Sequence, residues 1–231
     1  MARPQRGNDA LGRRGPGKGR RHKIVHVFTE GKVTEPRYLD ILKTHGVPKD
    51  PDHKVEWHVA NEEDRGSHRK PLDLVALAVR LKRETAREDR RNKVAERFRT
   101  EVWCVFDRDD HDGIETAMKQ AREGGVRVAY SHPCFEVWRL AHHKVVSGTF
   151  AGVCSLATER LPFRRDPQDA ADIKVVLPHQ ILDRYETARK NALLMNAQHG
   201  DHVSWIHRDP YTDVHVFVEE GLGLSGYVSE P

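Results

Sequence analysis

One uninterrupted apolar run, Val102-Trp103-Cys104-Val105-Phe106, dominates the middle of the sequence and stops abruptly at Asp107-Arg108-Asp109-Asp110. Such a run suits a strand covered on both faces, and strands of that kind belong to parallel sheets with helices on either side. The flanking pattern agrees. Ile24-Val25-His26-Val27-Phe28 reads as a short strand ending at Thr29-Glu30-Gly31. Residues 54–59 alternate with period two, as a half-buried strand does, and 126–130 reads as another strand. Helical patterns lie between them. Pro36 suits the first turn of one that carries Tyr38, Leu39, Ile41 and Leu42. Pro71 opens a longer one with Leu74, Leu77, Ala78 and Leu81, whose charged continuation over 82–99 reads as solvated. A third covers about 114–122 and ends at Gly124-Gly125. The alternation predicts an α/β fold, a mostly parallel sheet flanked by helices.

Beyond this the pattern predicts a short helix over 135–140, one continuous helix over 179–197 and a last one over 212–219. The expected organisation is a core over 24–146 and a helical C-terminal extension over 147–231 packing on it. Residues 1–23 stand apart. They hold eight Lys/Arg against one acid, a balance of +7, while the whole chain is +4, so residues 24–231 carry −3. A segment so poor in apolar residues cannot offset its chain entropy and reads as a disordered basic arm. Arg20, Arg21 and Lys23 in that arm are candidate nucleic-acid contacts, as are Arg164, Arg165 and Lys174 in the body. No stretch approaches the roughly 20 apolar residues of a membrane span. Three separated cysteines without a CxxC pair argue against a disulfide framework or zinc ribbon and fit a reducing cytoplasm. A phosphate-binding loop of the GxxxxGK[ST] type and a GxSxG element are both missing from the sequence.

In open parallel sheets, sites form beyond the carboxyl ends of the strands. Three expected strands lead into acids there: the first into Glu30, the central one into Asp107, Asp109 and Asp110, and the 126–130 strand through Ser131-His132-Pro133-Cys134-Phe135 into Glu136. In an extended segment residues i and i+2 point the same way, so Asp107 and Asp109 can present carboxylates to one point. Converging carboxylates repel unless a cation lies between them, and hard oxygen ligands suit Mg²⁺ or Mn²⁺. Acids after a strand also serve as turn formers and helix caps, Asp110 above all. The combination of three strand ends is what points to metal.

The stretches Phe28-Thr29-Glu30-Gly31 with Thr34-Glu35-Pro36, Val105-Phe106-Asp107-Arg108-Asp109-Asp110, Ser131-His132-Pro133-Cys134-Phe135-Glu136-Val137-Trp138 and Asp209-Pro210-Tyr211-Thr212-Asp213-Val214 together resemble the RloB family. The resemblance runs from about residue 24 to 220. It implies a divergent Toprim-like, Rossmann-type sheet. It implies that Glu30 takes the place of the Toprim glutamate, as ligand or general acid/base, and that Asp107 and Asp109 take the DxD metal-ligand places. Glu136 resembles the extra acid of OLD-type and defence-associated Toprim nucleases. Activity, on this resemblance, is expected to be Mg²⁺- or Mn²⁺-dependent cleavage of DNA or RNA, transfer RNA included, in anti-phage defence, often beside an ATPase partner. A non-catalytic regulatory subunit of such an ATPase complex is the alternative expectation.

Overall fold

The computed structural model describes residues 20–63, 69–109, 111–163 and 172–230. In chain order the elements are β1 (Lys23–Thr29), α1 (Thr34–His45), β2 (Gly46–Pro48), β3 (Val55–Val59), α2 (Pro71–Arg91), β4 (Glu101–Asp107), α3 (Ile114–Gly124), β5 (Arg127–His132), α4 (Glu136–Ala141) and α5 (Cys154–Glu159). They continue with α6 (Pro178–Ile181), α7 (Tyr185–Asn196), β6 (Tyr211–Thr212), α8 (Val214–Val216) leading into a π-turn (Phe217–Gly221), and β7 (Leu224–Tyr227). One sheet has the order β3-β1-β4-β5-β6. Its first four strands are parallel, and β6 closes the edge antiparallel to β5. The α/β class and the mostly parallel sheet are thus as the residue pattern predicts.

The apolar run of β4 explains the layering. Val102, Cys104 and Phe106 face one core with Leu74, Val75 and Ala78 of α2 and Ala117 and Ala121 of α3. Trp103 and Val105 face the other, with Tyr38, Leu39 and Leu42 of α1 and much of the C-terminal part. Every residue of the run is at most 3% exposed. At about 25 cal/mol per Å² of apolar surface removed from water, a strand buried twice over contributes more than any single-faced neighbour.

Several details differ from the sequence pattern. The expected helix over 179–197 is broken into α6 and α7, because Asp183 between them takes a left-handed φ of 61°. The expected helix over 212–219 is β6, one turn of α8 and the π-turn. The charged continuation after residue 82 is α-helical only to Arg91, followed by a 3-10 turn at Glu96–Phe98, and within it Asp89 is buried. The C-terminal extension carries helices and adds two strands: β6 joins the main sheet, and β7 pairs antiparallel with β2.

Of the arm expected over residues 1–23, only the last four lie among the described residues. Residues 1–19 lie outside the described residues. Lys23 opens β1 and pairs with Glu101 at 2.6 Å. Arg20 pairs with buried Asp89 at 3.3 Å and donates to the Phe98 carbonyl and the Thr100 hydroxyl. Arg20 and Lys23 are therefore tied to the body by ion pairs. Arg21 remains exposed.

Candidate acidic site

The parallel register brings three strand ends to one rim. Thr29 lies beside Val105, and Asp107 lies beside Ser131. Glu30 follows β1 directly, and its backbone N–H donates to the Val105 carbonyl at 3.0 Å. The turn after β1 is fixed from below by Arg69, a buried cation that donates to the carbonyls of Thr29 and Gly31, each at 3.0 Å. Asn61 accepts from the Thr29 N–H at 3.0 Å and donates to its carbonyl at 2.8 Å. Glu30 is thereby held where one carboxylate oxygen accepts the Asp107 N–H at 2.9 Å and the other meets the His111 imidazole. Beyond Asp107, the N–H groups of Arg108 and Asp109 donate to the carbonyls of Ser131 and Pro133. Asp109 takes a positive φ of 30° and is exposed, with the Cys154 thiol 3.4 Å from its carboxylate.

Glu30, Asp107, Asp109 and Glu136 line one cavity of about 490 Å³. A fifth acid, Glu35, lines it too and is only 4% exposed. It sits in the first turn of α1 and accepts the Gly31 N–H at 2.9 Å. The approach requires glycine at 31, since a Cβ there would stand 2.0 Å from a Glu35 carboxylate oxygen. Lys32 and Lys174, both exposed, belong to the same cavity, as does Cys154. Glu136 lies 3.7 Å from Arg139, whose guanidinium is buried and donates to the Ile173 carbonyl and the Gln180 side chain.

The acids raise one another. Burial, then Glu35, Glu30 and Glu136, pushes the Asp107 carboxyl well above the usual aspartate range. Burial pushes Glu35 up to about 7, with further contributions from Glu136 and Glu30. Burial also raises Glu30, against the opposing pull of the Asp107 N–H and His111. Carboxylates crowded in this way favour a bound proton or a bound cation. Among the described residues, no three His, Cys, Asp or Glu side chains stand close enough to form a ready-made ion cage. The acids share a cavity and an electric field, and their all-oxygen donor set is the kind that Mg²⁺ and Mn²⁺ accept.

Of the residues expected from the sequence, Glu30, Asp107, Asp109, Glu136 and Lys174 meet in this cavity. Asp110, Arg164 and Arg165 lie outside the described residues. Glu35 and His111 are additions that the strand-end reasoning misses. The signals for Glu35 are its place at the start of a helix five positions after Glu30 and its membership of the Thr34-Glu35-Pro36 stretch of the family resemblance. His111 carries none, because its contact with Glu30 spans 81 positions. His142, after α4, is fully buried between the Trp138 carbonyl and the Tyr227 hydroxyl. A family model described as "RloB-like protein" matches residues 25–220. No curated protein and no solved structure matches the chain.

Proposed function

Starting from a chain that belongs to the RloB-like protein family, we propose that it is a divalent-metal-dependent nuclease with a Toprim-like site, acting on DNA or RNA in anti-phage defence. The observation that carries this reading is the clustering of Glu30, Glu35, Asp107 and Glu136 at the carboxyl ends of parallel strands, close enough to raise the Asp107 pKa. A Mg²⁺ or Mn²⁺ ion held by these acids and Asp109 would supply Lewis acidity to a phosphodiester and a more acidic water. The protein's own groups do the rest. Glu30, raised in pKa and in contact with His111, is the group suited to take up or release a proton at its Oε1. Its other oxygen orients the Asp107 backbone and so aims the Asp107 side chain. Lys32 and Lys174 supply positive charge where phosphate oxygens would lie. An ATPase partner belongs to the same proposal.

The test is cleavage of labelled DNA and RNA with Mg²⁺ or Mn²⁺ and with EDTA, alone and with a neighbouring ATPase. Asp107→Ala and Glu30→Ala are each expected to lower cleavage by about 100-fold or more. Cleavage that persists in either variant, or in EDTA, removes the assignment. A regulatory, non-catalytic role is the second reading. It is favoured by exposed Leu193 and Leu194 on α7, 44% and 47% accessible, an apolar surface suited to a protein partner.

A further inference from the structure

A second cavity, about 680 Å³, opens beside α3 and the segment 204–206. Its lining includes Met118, Val126, Val128, Trp205 and Ile206, together with the exposed cations Lys119 and Arg122. Asp213 adds a carboxylate, anchored by the Tyr130 N–H at 2.6 Å. Trp205 is 39% exposed. Its ring stands edge-on to Tyr130, centroids 5.5 Å apart, and tilted against Tyr211 at 5.7 Å. It is braced from behind and open in front. The volume lies within the range of about 300–1,000 Å³ usual for small-ligand sites.

A smaller cavity, about 210 Å³, shares Glu115 and Ile206 with this one and continues to Arg108 and His111. Sharing two lining residues, the two cavities make a track from Trp205 to His111, which contacts Glu30 of the acidic site. Arg108, Lys119 and Arg122 give the track cations along its length. Two exposed acids also stand on it, Asp112 and Glu115, and Glu115 is paired with His207 at 3.1 Å.

An exposed, braced indole next to cations is a stacking platform for a base, and base stacking tolerates any sequence because every base has a π-face. A duplex keeps those faces inside its own stack, so only an unpaired base can reach the indole. We propose that this track binds a single-stranded segment of nucleic acid, with one unstacked base on Trp205 and neighbouring phosphates at Lys119 and Arg122. The inference deepens the nuclease reading and rests on it for the choice of polymer.

The test is equilibrium binding of labelled single-stranded and duplex oligonucleotides, as DNA and as RNA, to the full chain in EDTA, where no cleavage is needed. Single strands are expected to bind more tightly than duplex. Trp205→Ala should weaken single-strand binding by about 5- to 150-fold and leave duplex binding unchanged, with Trp205→Phe recovering most of the loss. Lys119→Ala with Arg122→Ala should lower single-strand affinity and flatten its salt slope by about 0.7 per charge removed. This pair, both exposed, decides the matter should Trp205→Ala fail to fold. No single-strand binding by the native chain, an equal loss on duplex, or native affinity in both sets of variants overturns the proposal. Native affinity in the Trp205 variants while Asp107→Ala abolishes cleavage removes the track and keeps the nuclease. Trp205-dependent binding with cleavage indifferent to Asp107→Ala does the reverse.

Discussion

Glu35→Gln isolates the electrostatic cost of the acid cavity. Glu35 is buried, and its carboxyl is raised from an ordinary 4.5 to about 7. With the folded-state pKa above the unfolded one, the folded state prefers the proton. The stability tied to the protonated form is fully present below about pH 4.5 and is lost as pH rises through about 7. That interval, at about 1.4 kcal/mol per pH unit, corresponds to about 3 kcal/mol. Glutamine keeps an oxygen to accept the Gly31 N–H, which now lies at 2.9 Å from Glu35, and carries no charge. The variant should match the native chain near pH 5 and exceed it at pH 8 by up to about 3 kcal/mol in urea unfolding without divalent ions. Mn²⁺ should stabilise the native chain at pH 8 and stabilise the variant less, because an ion binds best where uncompensated carboxylate charge is greatest. An effect of the substitution that is the same at both pH values, or a variant weaker than the native chain at pH 8, would refute the reasoning.

Two further outcomes concern the N-terminal boundary. Asp89→Ala should cost about 2–4 kcal/mol in urea unfolding, since it strips a buried acceptor from the Thr100 N–H, bonded at 2.6 Å, and removes the ion-pair partner of Arg20. Deleting residues 1–19 should weaken nucleic-acid binding and flatten its salt slope with little change in melting temperature. Deleting residues 1–23 should also lower the melting temperature, because it removes the Arg20 and Lys23 ion pairs; equal melting temperatures for the two truncations would contradict that role.

The elements legible in the sequence are those whose burial is one-sided or complete along a run. β4 can be read because both of its neighbours are apolar cores, so every position must be apolar. β2, β6 and β7 have three, two and four residues, too few to display a period. The stripe Ile181, Tyr185, Ala188, Ala192 and Met195 is buried throughout, so its spacing gives no warning of the break at Asp183. That break is tertiary: the Asp183 carboxylate accepts the Ser229 N–H at 3.0 Å. The same division holds at the acidic cavity. Glu30 and Asp107 declare themselves by following strands. Glu35 reads as an ordinary first-turn helix acid, and only its closeness to Gly31 and the other carboxylates makes it part of the cavity. Arg20 and Lys23 read as arm residues because composition cannot see Asp89 and Glu101.

The pairing of β7 with β2 bears on when the acidic cavity can exist at all. Tyr227, in β7, joins the Tyr38 hydroxyl at 3.2 Å and the His142 imidazole. Tyr38 belongs to α1, which carries Glu35, and His142 follows α4, which carries Glu136. A ribosome makes this clasp last among the described elements, some 190 residues after the helix it secures. Closing so long a loop is slow relative to forming local helices. Until it closes, two of the five acids ride on helices that nothing fastens to each other through Tyr227. Tyr227 thus couples the two helices that bring Glu35 and Glu136 to the cavity, so β7 belongs to the framework of the site although it supplies no acid to it.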